Sequence, residues 1–246
     1  MVPTNDNGFL LAGLTSLTGN GDFYIVRVDQ DGNELWNNSF VGLFYETLEE
    51  ALATPDGGFL VAGPTTSVGA GGNDAWLFKV DNNGKQEWNK TYGGSLDDFT
   101  CALLNDNLGD YLALINSHSY GPGDADMWIV KLDENGNSKW NQTYGYAGKS
   151  DPMFDMIEID SNKIVLTGRT GSPGGAESDY WVLQITLTNQ ITKTTSTTST
   201  TALSSSSSSP TTKIDTTTTN AIPGFDLIFI IIIPTMILAK KRRKFL

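Results

Sequence analysis

Four aspartates, Asp22, Asp74, Asp126 and Asp179, each stand two residues before an aromatic residue and follow a glycine-rich loop. Carboxylate oxygens delivered by loops suit a hard cation such as calcium. None of the tight turns continues into the D-x-[DN]-x-[DN]-G-x5-E calcium loop, so the expected role of these aspartates is to cap turns, with calcium as the alternative and no other cofactor. A second recurring chemistry is N-x-[ST], the acceptor for N-linked glycans, present at Asn37, Asn89 and Asn141. The adjacent acids Glu49/Glu50 and Asp97/Asp98 make poor acid–base pairs, because neighbouring side chains on an extended chain point apart. His118 is the one histidine and Cys101 the one cysteine. They supply neither a zinc site nor an internal disulfide, and Cys101, inside FTCALL, is expected to be a small apolar core residue.

These positions belong to a repeat. Trp36, Trp88 and Trp140 are 52 residues apart, in GNELWNNSF, GKQEWNKTY and GNSKWNQTY. Tyr24, Trp76, Trp128 and Trp181 follow at intervals of 52, 52 and 53. A third marker, GFLLAG, GFLVAG, DYLALI and KIVLTG, keeps its order in every unit, so four copies are present. Within a unit the apolar runs are short, rich in β-branched and aromatic residues, and bounded by Gly, Asn and Asp. That pattern predicts strands and few helices. In AWLFKV both faces begin apolar: Trp76, Phe78 and Val80 lie on one, Ala75, Leu77 and Lys79 on the other. The segments beginning at Asp29, Asp81 and Asp133 read as hairpin turns closed by Gly32, Gly84 and Gly136. Four strands per unit of about 52 residues is the size of a propeller blade. The expected fold is therefore an all-β propeller of about four four-stranded repeats, followed by a disordered stalk and one transmembrane helix. A stacked β-solenoid is the rival, but its coils repeat at a shorter period.

The stretches WLFKVDNNGKQEW and WIVKLDENGNSKW resemble the tryptophan-bearing hairpin of PQQ-type propellers. The whole unit resembles the DGG(F/Y)-x-x-AG … D-x-W … NG … W-N-x-T-YGG repeats of archaeal and bacterial cell-surface propellers. That resemblance implies a fold and leaves the activity open.

The expected domains are the repeats over residues 1–187, a Ser/Thr-rich stalk over 188–220, a membrane span over 221–239 and a basic tail over 240–246. The stalk composition buries too little apolar area to offset its ordering entropy and reads as an O-glycosylated stalk, with an unmodified flexible linker as the alternative. The span, counted from Ala221, approaches the roughly 20 residues a bilayer core needs. Five consecutive bases after it place the C-terminus in the cytoplasm and the repeats outside. The order IPGF, apolar run, basic terminus resembles archaeal surface-protein sorting tails. The first unit begins with almost no inner strand, the last lacks a WN phrase, and residues 1–5 carry no secretory n-region or h-region. The expectation is either a ring closing imperfectly with about four blades or the C-terminal part of a longer propeller.

The formal net charge is −12 in spite of that basic tail, which excludes nucleic acid as the default partner. Expected partners are membrane lipid, an extracellular protein or glycan, and a second copy bound through the incomplete blades. No constellation demands catalysis, so the chain reads as a surface binding, adhesion or envelope-structural module and not as an enzyme. The competing class is a propeller enzyme, quinoprotein-like or polysaccharide-acting.

Overall fold

The computed structural model describes residues 1–16, 21–106, 109–160, 162–171, 179–187 and 225–233, with residue 179 and the last segment described by backbone. It is all-β, with four antiparallel sheets of four strands, each sheet a meander in sequence order. The first contains β1 (Val2–Pro3), β2 (Phe9–Thr15), β3 (Asp22–Val28) and β4 (Glu34–Phe40). The second contains β5 (Glu50–Ala53), β6 (Phe59–Thr65), β7 (Asp74–Val80) and β8 (Gln86–Tyr92). The third contains β9 (Asp98–Asn105), β10 (Tyr111–Ser117), β11 (Asp126–Leu132) and β12 (Ser138–Tyr144). The fourth contains β13 (Met153–Asp160), β14 (Lys163–Thr170), β15 (Asp179–Leu187) and β16 (Phe225–Ile233). Four such sheets fit a repeat propeller.

Each of the two inner sheets buries one face against the sheet before it and the other against the sheet after it. Leu10, Phe23, Ile25 and Phe40 of the first meet Phe59, Val61, Trp76 and Phe78 of the second. The opposite face of the second, with Leu60, Ala62 and Leu77, meets Tyr111, Ile115 and Trp128 of the third. Leu112, Leu114 and Ile129 then meet Met156, Leu166, Trp181 and Leu183 of the fourth. Among the described residues nothing comparable covers the two outermost faces: Leu11 of the first sheet and Phe154, Ile157 and Ile159 of the fourth are exposed.

A directional contact accompanies the apolar packing. Trp36 Nε1 donates to the Asn82 carbonyl at 2.9 Å, and Trp88 Nε1 donates to the Glu134 carbonyl at 2.9 Å. In each case the outer strand of one sheet reaches the outer hairpin turn of the next. The indole lies flat over the turn glycine; a Cβ on Gly136 would come within 2.9 Å of the Trp88 ring. Gly136 also has φ +71°, so it satisfies both the turn and the indole. Tyr92 Oη donates to the Gly136 carbonyl at 2.6 Å and completes the latch.

At the end of the sheets that carries these turns, a buried cation ties the third strand to the first hairpin. Lys79 Nζ is 2.8 Å from Asp56 Oδ2 and 2.7 Å from Glu87 Oε2, and Lys131 Nζ is 2.6 Å from Asp106 Oδ2. Arg27 is paired with Asp6 at the equivalent place. Alternation puts Lys79 on a face with Ala75 and Leu77, and the carboxylates make its burial tolerable.

The C-terminal segment lies only partly among the described residues, and there it is extended. Within the expected membrane span over 221–239, residues 225–233 form β16, which pairs antiparallel with β15 from Tyr180↔Ile233 to Leu187↔Phe225. The fourth repeat, which the sequence leaves at three strands, is thereby completed. An Ile-rich run has high strand propensity, and β15 offers an outer edge that no WN phrase fills. Among the described residues no helix is long and apolar enough to cross a membrane. The stalk and the basic tail lie outside the described residues.

Two outcomes follow. Trp88→Ala should destabilise the protein by about 2–3 kcal/mol, read as a lower urea midpoint, since it removes a half-buried ring together with its hydrogen bond to the next hairpin turn. Acid should also weaken the fold. Asp6 is held at about 2, below its ordinary 3.8, by the Thr4 hydroxyl, the Gly8 amide and Arg27 against the effect of burial. Asp29 and Asp133 are lowered by the side chains of Asn33 and Asn137. Stability from lowered carboxylates is complete above the ordinary value and disappears as pH falls through the lowered one. Melting temperature should therefore decline between about pH 4 and pH 2, measured by circular dichroism.

Candidate functional site: the loop end of the sheets

The end opposite the tight turns carries the long loops between the second and third strands and the connections between sheets. Asp22, Asp74 and Asp126 open their third strands there and are essentially buried. Asp74 Oδ2 accepts from the Ala70 and Gly71 amides at 2.8 and 3.2 Å, and Asp126 Oδ2 accepts from the Gly123 amide at 2.6 Å. Each carboxylate thus holds the loop that precedes it. The Asp179 side chain lies outside the described residues.

Sequence reasoning missed that each of these acids has a second acid beside it. Glu46, Asp98 and Asp151 are fully buried, and each donates its backbone N–H to the carbonyl of the residue preceding the first acid. The bonds run to Gly21 at 3.0 Å, Asn73 at 2.7 Å and Ala125 at 2.6 Å. A hydroxyl ending the second strand completes each pair: Thr65 donates to Glu46, Ser117 to Asp98 and Thr170 to Asp151. Asp98 Oδ2 also accepts from the Gly94 amide at 2.8 Å and Ser119 Oγ at 2.7 Å. The signal was available, since Glu46, Asp98 and Asp151 recur at the repeat interval. Asp97 turns away to accept from the Asn73 amide, so Asp97 and Asp98 serve different partners.

Burial raises the Asp74 carboxyl, opposed by the Gly71 and Ala70 amides and assisted by the negative charge of Asp98 and Asp97. Asp126 is raised in the same way, by burial and by Asp151 and Asp124 against the Gly123 amide. Among the described residues, no three His, Cys, Asp or Glu side chains converge as a metal cluster.

The rim of this end is apolar and aromatic. Leu43 (80% exposed), Phe44 (58%), Tyr45 (57%), Val68, Leu96 and Tyr120 all project from its loops and connections. The connection after β4 is pinned to the next loop by Phe44 N–H to Ser67 Oγ at 2.8 Å and Tyr45 N–H to Thr66 Oγ1 at 3.1 Å. Leu96 N–H to Ser119 Oγ at 3.0 Å repeats the arrangement one sheet on. His118 is exposed, with Nδ1 3.0 Å from the Asp97 carbonyl. Cys101 lies away from this rim, packed against the core between the third and fourth sheets, and burial pushes its thiol up to about 12.

The three sequon asparagines lie on outer strands and are exposed. Asn89 Oδ1 accepts from Trp76 Nε1 at 3.4 Å and Asn141 Oδ1 from Trp128 Nε1 at 3.1 Å, leaving Nδ2, the atom a glycan would join, uncommitted in those bonds. In the first repeat Tyr24 stands where the others have that tryptophan, and Asn37 Nδ2 donates to Glu34 Oε1 at 2.6 Å. A groove of about 550 Å³ lies at the turn end, lined by Leu52, Pro55, Leu103, Leu104, Asn105 and Glu158. No convergent catalytic set lines it.

No protein-family model matches the sequence, and no curated protein matches it. Among solved structures the chain is similar to a puromycin hydrolase, with 16% identity and a TM-score of 0.42. The match covers 74% of this chain and 26% of that one, so the chain spans about a quarter of the hydrolase's length. The sequence expectation that the chain is not an enzyme does not stand, because the structure it resembles belongs to an enzyme. A likeness this distant carries no activity or substrate across.

Glycine beside the acid pair gives a direct check. A Cβ on Gly93 would overlap Asp74 Oδ1 and lie 2.9 Å from Asp98 Oδ2, whereas a Cβ on Gly13 meets nothing within 4 Å. Gly93→Ala should destabilise by about 1–3 kcal/mol in urea titration, while Gly13→Ala should be neutral or slightly stabilising.

Proposed function

We propose that the four sheets are blades of a cell-surface propeller whose loop end recognises an extracellular protein or glycan. The observation that carries this reading is the gathering of exposed Leu43, Phe44, Tyr45, Val68, Leu96 and Tyr120 on one end, over acid pairs that keep the same geometry from blade to blade. Aromatic side chains that are half in water present large contact area at low entropic cost, which favours recognition over simple solvation. The loops bearing them differ in sequence, while the seats that hold those loops repeat.

The propeller is tethered at its C-terminal side. Support comes from the apolar run over 221–239, the bases over 240–244 and the hydroxyl-rich stretch before them. On the membrane that run serves as the anchor and leaves the edge of β15. Asn37, Asn89 and Asn141 carry glycans on the outer strands, away from the loop end.

Phe44→Ala combined with Tyr45→Ala and Tyr120→Ala should weaken binding to a glycan array or to isolated envelopes of the native host at least tenfold, with the circular dichroism spectrum unchanged. Unaltered binding would refute recognition at this end. Removal of residues 221–246 should move the protein from the alkaline-washed membrane pellet to the soluble fraction, and continued retention would refute the anchor.

A further inference from the structure

Among the described residues three buried carboxylate oxygens lack a hydrogen-bond partner: Asp74 Oδ1 and Asp126 Oδ1, at equivalent positions of successive blades, and Glu46 Oε2, on the second acid of the first blade's pair. Asp74 and Asp126 are each 1% exposed, and Glu46 is 0%. An anionic oxygen removed from water without a donor is costly, and its repetition at the same position in two successive blades argues against accident. In the second blade the unpartnered oxygen is aimed at the neighbouring acid. Asp74 Oδ1 and Asp98 Oδ2 both border the space beside the Gly93 Cα that a Cβ would enter, and Ser119 Oγ lies 2.7 Å from Asp98 Oδ2. In the third blade Asp126 Oδ1 reaches the same space beside Gly145.

We propose that the Asp74–Asp98 pair is a calcium seat, repeated at Asp126–Asp151. The chemistry is that of a hard cation: two carboxylates and a hydroxyl, all oxygen, an incomplete and irregular set of the kind calcium accepts. Magnesium demands a regular octahedron and gives up water reluctantly, so a seat of two carboxylates between loops selects the larger ion. The ion joins the loop held by Asp74 to the inter-blade connection held by Asp98. This assignment stands independently of what the loop end recognises.

The test uses the whole chain in detergent, stripped with EDTA and titrated with calcium chloride. At calcium ten times the dissociation constant the melting temperature should rise by about 4 °C, with a constant in the range of extracellular modules, 10⁻⁴–10⁻³ M. Asp74→Asn and Asp126→Asn should each remove part of that rise, their combination should remove it, and Asp31→Asn on an exposed turn should leave it intact. Terbium bound to the unaltered protein should luminesce through Tyr120, whose hydroxyl is 3.0 Å from the Gly93 carbonyl, and should be displaced by calcium but not by equal magnesium. That readout holds even if the variants fail to fold. Identical melting in EDTA and calcium, or terbium luminescence absent or equally displaced by magnesium, overturns the proposal.

Discussion

Every sheet in this protein is apolar on both faces, and that constraint governs the rest. A four-stranded meander can hide one face on a helix or another sheet, but two apolar faces require a neighbour on each side. Stacking satisfies the second and third sheets fully, with Phe59, Val61 and Phe78 covered from one side and Leu60, Ala62 and Leu77 from the other. The polar features act within that frame. Tryptophan latches join neighbours at the turn end, buried cations tie hairpins beneath them, and acid pairs fasten the loops at the opposite end.

The frame was largely legible in the sequence because its determinants are local and repeat. The strand tryptophans, the turn glycines and the alternation in AWLFKV each describe one short segment, and a constant interval of 52 or 53 residues links the segments. Strand order and the double-faced packing followed from those features. Burial of Lys79 could be read from its alternation with Ala75 and Leu77, but its partner Asp56 stands 23 residues earlier, on another strand connection.

The acid pairs were only half legible. Asp22, Asp74 and Asp126 stand out because each opens a strand after a glycine-rich loop. Their companions Glu46, Asp98 and Asp151 lie near other acids, such as Asp97 and Glu49, and the repeat interval is the one sequence signal that singles them out. The C-terminal segment has a different difficulty: an isoleucine-rich run satisfies an open strand edge and a hydrocarbon core with the same side chains. Composition therefore serves both structures, and the order of elements is what separates them.

The latch from Trp36 to Gly84 and from Trp88 to Gly136 points one way along the chain, from each sheet to its successor. The array therefore has polarity, with a donor face and an acceptor face that are not interchangeable. A self-complementary two-fold pairing would set donor against donor or acceptor against acceptor and waste both. A further sheet added through this contact would be added heterologously, facing the same direction as its neighbours.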